Sequence, residues 1–324
     1  MRKMRVLVLS NGGPGIGGGH ISRCVALATA FDAEGLQCRW MVNESALAML
    51  PREALVETLP EAVLFASDAV GLVRKQRPDL IVVDSYVPEL SFLRELRAVA
   101  PLCVIDDCRD RPVDEVASVL LNYNLGAEEL GYGTSPERSL LGLRYALLRS
   151  VFADVARQSG EYVFLSAGSA DVRSVTSTFL EWWRPTFPPL VAVLGPFVPP
   201  GERERARQHA RFLSHARLLV APEEYPRLLA GAGFVLCTSS VSAYEALALE
   251  KPLAVFQVAS NQCRIGGLIE QRGLGKNLGE WGTFTGEDVA RVLSRKWKKP
   301  DPSVNLNGAV EVARTVRAWL EDRH

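Results

Sequence analysis

The chain has 324 residues, more than one ordinary core fills and enough for two domains of roughly 150 residues each. Lysine plus arginine equals aspartate plus glutamate at 37 each, so no net field draws nucleic acid or an anionic membrane surface, and any anion must be bound locally. The opening "MRKMRVLVLSNGG" has an apolar run too short for a signal-peptide core, and no window approaches the ~20 apolar residues of a membrane span. A cytoplasmic protein without stable membrane insertion and without a nucleic-acid partner is expected. The six cysteines, Cys24, Cys38, Cys103, Cys108, Cys237 and Cys263, form no C-x-x-C pair and read as reduced, buried thiols, with neither a metal nor a cofactor implied.

In chain order, short apolar runs alternate with helix-length amphipathic segments: "VLVLS", a helix over 21–34, "CRWMV", a helix over 62–76, "LIVVD", a helix over 89–99 and "LCVID". That alternation predicts a parallel sheet with helices on both faces. After "YALLRSVFADVARQSG" it starts again: "YVFLS", a helix over 172–183, "LVAVLG", a charged helix over 202–212, "RLLVAP", "FVLCTSS", a helix over 242–249 and "PLAVFQ". Two successive series predict an α/β protein with two Rossmann-like lobes facing each other across a cleft, divided as 1–153 and 154–324. A last amphipathic stretch, 310–320, reads as a terminal helix that packs back on the first lobe.

The first strand runs into "NGGPGIGGGHISRC", which puts three glycines before His20. A strand, a glycine turn and a helix aim backbone N–H groups and the positive helix end at an anionic or oxygen-rich ligand. "GIGGGH" only approximates G-x-G-x-x-G, and Glu44 comes late for the acidic residue of a dinucleotide site; the absence of G-K-[ST] excludes a P-loop. A histidine at a helix start has its pKa depressed by the dipole, so a neutral imidazole able to take a proton fits His20. A histidine bonded only to a backbone carbonyl stays open as the alternative. His209, His215 and the terminal His324 read as structural.

"GGGHISRC", "IVVDSY", "VIDDCRDR", "LLNYNLG", "LLGLRYALLRSVF" and "VASNQ" occur in this order along most of the chain. Together they resemble the UDP-sugar hydrolases of pseudaminic acid biosynthesis and the related spore-coat polysaccharide proteins. These lie within the GT-B superfamily, which includes the lipid II glucosaminyltransferase. The resemblance implies a UDP-sugar substrate and makes His20 the general base that activates water against the anomeric carbon. A nucleoside diphosphate is a good leaving group, so one base and anion stabilisation suffice.

Around His20, Gly18 and Gly19 form the turn and are expected to bind substrate, and Arg23, one helical turn on, contacts phosphate or pairs with an acid. Asp84 and Tyr86, at a strand's carboxyl end, are expected to orient His20 or line the sugar pocket; Asp84 as a cap for the next helix is the alternative. Asp106 and Asp107 are adjacent, and consecutive strand residues point to opposite faces, which argues against a metal pair. In the second lobe, the N–H groups near Ser239, Ser240, Val241 and Ser242 suit a diphosphate. By the resemblance, Glu245 accepts hydrogen bonds from ribose, while the amides of Asn261 and Gln262 suit sugar hydroxyls and phosphate oxygens.

Two departures stand out. Where the hydrolases show G-G-S-D, this chain has "SAGSAD", matching only at Gly168 and Asp171; the closing D-x-x-G-x-x-R pattern keeps Gly308 but brings Val312 near the usual arginine. The expected reaction is hydrolysis of a UDP-activated amino-deoxy sugar to free sugar and UDP, with inversion. A GT-B glycosyltransferase, with "SALAMLPREALVETL" as a faint acceptor patch, a non-catalytic nucleotide-sugar-binding protein and a UDP-sugar epimerase stay open as alternatives. The sequence does not indicate an oligomeric state.

Overall fold

Two parallel sheets organise the chain in the computed structural model, which describes residues 3–158, 160–301 and 304–323. His324 lies outside the described residues. The first sheet holds β1 (Arg5–Ser10), β2 (Gln37–Val42), β3 (Val56–Thr58), β4 (Leu80–Asp84), β5 (Leu102–Ile105), β6 (Val119–Asn122) and β7 (Arg138–Leu141), in the order β3-β2-β1-β4-β5-β6-β7. It is accompanied by helices α1 (Gly19–Ala33), α2 (Glu61–Leu64), α3 (Ser67–Gln76) and α4 (Leu90–Arg97). The second holds β8 (Val163–Ser166), β9 (Leu190–Leu194), β10 (Ala216–Val220), β11 (Phe234–Thr238), β12 (Leu253–Gln257) and β13 (Lys276–Glu280), in the order β10-β9-β8-β11-β12-β13. Its helices are α5 (Val175–Trp182), α6 (Pro200–Ala210), α7 (Tyr225–Ala230), α8 (Val241–Ala248), α9 (Cys263–Gln271) and α10 (Gly286–Leu293), and α11 (Gly308–Glu321) follows.

The expected α/β layering is therefore present twice. Central strands such as "LIVVD" and "FVLCT" are buried along their whole length, as strands covered on both faces must be. In each sheet the order reverses at its first strand, between β1 and β4 and between β8 and β11, which opens a crevice at the carboxyl ends of the strands.

By their internal contacts the described residues form two units. One comprises 3–12, 20–149 and 305–323; the other comprises 13–19, 150–158, 160–301 and 304. Helix α11 belongs to the first unit, where Arg317 donates to the Glu34 carbonyl at 2.8 Å and Trp319 Nε1 to Glu137 at 3.2 Å. At its start Gly308 lies so close to the chain that an added Cβ would sit 2.4 Å from Ala146 N and O.

The single helix expected over 62–76 is two, α2 and α3, because Ala66 is extended (φ −104°, ψ 158°) and the break turns Phe65 into the core, 6.4 Å from Phe92 edge-to-face. Strands β3, β6, β7 and β13 and helices α7, α9 and α10 have no counterpart among the segments expected from the sequence. β6 and β7 have four residues each, and β13 is the polar edge strand "KNLGE". The six cysteines are free, but only four are buried: Cys108 is half-buried and Cys263 exposed, against the expectation of six buried thiols. Among the described residues no helix is long and apolar enough to cross a membrane.

Gly308→Ala sets the better helix propensity of alanine, up to about 1 kcal/mol, against a Cβ driven into backbone that cannot give way. Overpacking wins: urea unfolding should show a net loss of about 1–2 kcal/mol.

Candidate active site

At the carboxyl end of β1 the chain closes on itself before reaching His20. Gly17 N donates to Gly13 O at 2.7 Å and Gly13 N to Gly17 O at 3.0 Å, while Asn43 clamps Gly12 through both its amide atoms. These N–H groups are therefore engaged within the protein instead of facing a phosphate as the glycine pattern suggested. Gly17 has φ +88°, a conformation that disfavours any side chain, and Gly18 is buried. Gly19 and His20 are the first two residues of α1, so the turn delivers His20 to the switch point beside β4.

One turn into α1, Arg23 is enclosed by carboxylates. Its Nε and Nη2 donate to Asp84 at 2.7 and 2.6 Å, and its Nη1 and Nη2 to Asp107 at 2.7 and 3.1 Å. All three side chains are nearly inaccessible. Of the two roles expected for Arg23, pairing with acids is the one the structure displays, and its fork geometry is what lets one cation hold two carboxylates. Burial alone would lower the guanidinium pKa, but Asp107 and Asp84 drive it well up.

Asp84 is thus committed to Arg23, with Cys24 Sγ at 3.4 Å from its Oδ2. It does not cap α4, whose first turn follows Glu89. Asp107 collects a further hydrogen bond from Asn124 Nδ2 at 2.6 Å and one from the Tyr86 hydroxyl. Burial would raise the Asp107 carboxyl; the charge and hydrogen bonds of Arg23, the Tyr86 hydroxyl and nearby His20 instead hold it well below the usual range. Asp106 turns to different partners, the Tyr132 hydroxyl and Arg109 N, and burial raises its pKa. The two adjacent acids diverge as consecutive residues should.

His20 is 9% exposed, and its Nδ1 is buried without a hydrogen-bond partner among the described residues. Its ring meets Tyr86 edge-to-face with centroids 4.7 Å apart. Burial pulls its pKa below 6.5; Asp84 and Asp107 oppose this, and Arg23 reinforces it. Burial thus favours the neutral imidazole, and the backbone-carbonyl alternative finds no support at Nδ1.

In the second unit the residues named from sequence separate into buried supports and half-exposed groups. Gly168, φ +87°, follows β8 beside Thr238 at the end of β11. Ser239 is fully buried, and its N and Oγ both donate to Phe256 O, at 2.9 and 3.3 Å. Ser240, Val241 and Ser242 are half-exposed at the start of α8, with Ser240 Oγ 2.8 Å from Thr238 Oγ1. Glu245 is buried, not an exposed helix carboxylate, and accepts from Tyr225 OH at 3.1 Å. Tyr225 packs edge-to-face on Phe164, and burial with the Glu245 charge pushes its pKa well up. Asn261 and Gln262 lie half-exposed in a turn after β12, which Gln262 closes by accepting Val258 N at 2.9 Å. Asp171, counted from sequence as a motif match, caps α5 by accepting Val175 N at 2.7 Å and Thr176 N at 3.0 Å.

No family model matches the chain. Against characterised proteins it is 23% identical over 274 residues to the UDP-2,4-diacetamido-2,4,6-trideoxy-beta-L-altropyranose hydrolase of Campylobacter jejuni, covering 80% of this chain and 93% of that one. The chain resembles a UDP-sugar hydrolase over most of its length. Among solved structures it is similar to MnaA of S. aureus, determined with UDP, at TM-score 0.65, 12% identity, and 98% and 97% coverage of this chain and that one. It is also similar to MurG of Acinetobacter baumannii, at TM-score 0.62, 11% identity, and 99% and 100% coverage. These likenesses fix the fold as the GT-B kind, and the hydrolase match accords with the resemblance carried by the six sequence blocks.

The hydrolase-like blocks are where the buried cluster sits. "GGGHISRC" supplies His20 and Arg23, "IVVDSY" supplies Asp84 and Tyr86, "VIDDCRDR" supplies Asp107 and "LLNYNLG" supplies Asn124. Asp107 and Asn124 were not singled out from sequence as site residues. The sequence signal for Asp107 is its place in an adjacent acid pair after a buried strand, and that for Asn124 is an N-x-N spacing at the end of β6, which places Asn122 and Asn124 two residues apart.

Arg23→Met would strand two buried carboxylates, and a loss of about 3–5 kcal/mol is expected at neutral pH by urea unfolding. Because the folded Asp107 pKa is depressed, its contribution is complete above the unfolded value of about 4 and is lost as pH falls through the folded value. The gap between wild type and Arg23→Met should therefore narrow below about pH 4.

Proposed function

We propose that this chain hydrolyses a UDP-activated amino-deoxy sugar, releasing UDP and the free sugar with inversion. The observation that carries the reading is His20: a buried imidazole whose Nδ1 has no partner among the described residues and whose pKa burial lowers, at the switch point of the first sheet, on a framework fixed by Arg23. Such a ring can take a proton from water as the water's oxygen attacks the anomeric carbon and the diphosphate departs with the bonding electrons. UDP leaves readily, so no second carboxyl acid is required. Asp84 and Arg23 act as the rigid base of the arrangement, and Tyr86 flanks the imidazole.

The second unit is assigned the nucleotide. The half-exposed start of α8 at Ser240, Val241 and Ser242 offers N–H groups and hydroxyls to the diphosphate, after the turn at Gly168. Glu245, oriented by Tyr225, accepts from ribose hydroxyls, and Asn261 adds an amide. Ser239 and Gln262 support this surface from behind. The similarity to a UDP-sugar hydrolase over 80% of the chain and the MnaA–UDP likeness support a nucleotide-sugar substrate.

Leu47 and Leu55, 43% and 49% exposed within "SALAMLPREALVETL", favour a second reading as a glycosyltransferase, in which His20 deprotonates an acceptor alcohol. The two readings separate in one experiment. Incubation with a panel of UDP-sugars, following UDP and the product anomer by NMR, should give UDP release without added acceptor; release only with an acceptor alcohol would identify the transferase.

His20→Ala should lower turnover at least ~100-fold. The rate should rise with pH along a limb whose midpoint lies below 6.5, because the working form is the deprotonated ring and burial depresses its pKa. Glu245→Ala should weaken UDP binding about tenfold by calorimetry, the loss of one charge-assisted contact.

A further inference from the structure

Tyr86 is 40% exposed, yet its ring is the edge-to-face neighbour of His20. A tyrosine this exposed samples several rotamers unless its hydroxyl is tied down. The tie is Asp107. Its carboxylate, 8% exposed, takes the Tyr86 hydroxyl while Arg23 and Asn124 hold it from behind, and the Asp107 carbonyl in turn accepts Asn122 Nδ2 at 3.2 Å. Asn122 itself donates to the Tyr132 hydroxyl at 2.8 Å.

We propose that Asp107, braced by Asn124, is a positioning residue: it fixes the Tyr86 hydroxyl, and through the Tyr86 ring it holds the His20 imidazole in its working orientation. This rests on the reading of His20 as the base. Asp107 also bears on the charge of that ring. The groups facing His20 are Arg23 from its own helix, Asp84 at the end of β4, Tyr86 in the following loop and Asp107 after β5. Asp84 and Asp107 favour the protonated imidazole, while Arg23 and burial oppose it. Asp107 therefore serves two ends at once, orientation through Tyr86 and basicity through its charge.

Two variants separate these ends. Asp107→Asn keeps the shape and an oxygen acceptor but removes the charge; Tyr86→Phe keeps the ring, the Asp107 charge and the Arg23 ion pairs but removes the tie. The His20 imidazole can be followed by NMR titration, assigned by its disappearance in His20→Ala, so this readout needs no substrate. In Asp107→Asn the His20 titration should move to lower pH by about one pH unit. In the same variant kcat on the hydrolysed UDP-sugar should fall about 10- to 100-fold with KM changed less. In Tyr86→Phe the His20 titration should stay near its wild-type position while kcat falls.

An Asp107→Asn protein that is folded by circular dichroism, titrates His20 at the wild-type pH and turns over at the wild-type rate overturns the proposal. If Asp107→Asn does not fold, Tyr86→Phe decides, and an undiminished kcat there overturns it equally. The His20→Ala control keeps the two levels apart. Wild-type turnover in His20→Ala removes the underlying base assignment; an inactive His20→Ala beside an Asp107→Asn indistinguishable from wild type removes only the positioning role.

Discussion

The first unit depends on one guanidinium held between two carboxylates. Taking Arg23, Asp84 and Asp107 out of water costs several kcal/mol per ion, and the arrangement is tolerable only because nearly every lone pair and proton in it is matched. One cation cannot neutralise two anions, so the excess negative charge is met by neutral donors: Tyr86 and Asn124 on Asp107, Cys24 on Asp84. A lysine could not do this, since its point charge lacks the planar fork that engages two carboxylates at once. The cluster joins α1 to the carboxyl ends of β4, β5 and β6, and so sets where His20 sits.

The two sheets share a strand order but furnish their switch points differently. In the first, the carboxyl edge carries charged groups and a histidine buried among them. In the second it carries hydroxyls and amides: Thr238 with Ser240, Ser239 with Phe256, and Gln257 Nε2 donating to Asn277 Oδ1 at 2.6 Å. Gly266 in α9 lets that network approach, since a Cβ there would lie 2.2 Å from Gln257 Nε2. One topology thus carries a charged cluster at one switch point and, Glu245 apart, a neutral polar edge at the other, because the side chains there come from the loops and helix starts and not from the shared strand order.

The structure gives several residues named from the sequence a definite internal partner. Arg23 is an internal ion-pair partner, Ser239 is buried against Phe256, Gln262 closes a turn and Asp171 caps a helix. Motif reading finds such residues because they lie in the turns and helix starts that follow strands. It does not say which way a side chain points. The glycine loop makes the same point, since the N–H groups of Gly13 and Gly17 bond each other, and what the glycines supply is a tight turn that brings the chain into α1 at His20.

The sequence alone determined the doubly repeated βα alternation, the strands at the centre of each sheet and the identity of His20 as the residue of interest. These follow from local signals, apolar runs and helical periodicity within windows of a dozen residues. The tertiary structure alone decided which acids Arg23 would hold, that Asp107 would anchor Tyr86 and that Glu245 would lie buried beneath Tyr225. Arg23 is 61 residues from Asp84 and 84 from Asp107 in the chain. No local pattern encodes a pairing across such a span, because it exists only once the parallel strands have brought their carboxyl ends side by side.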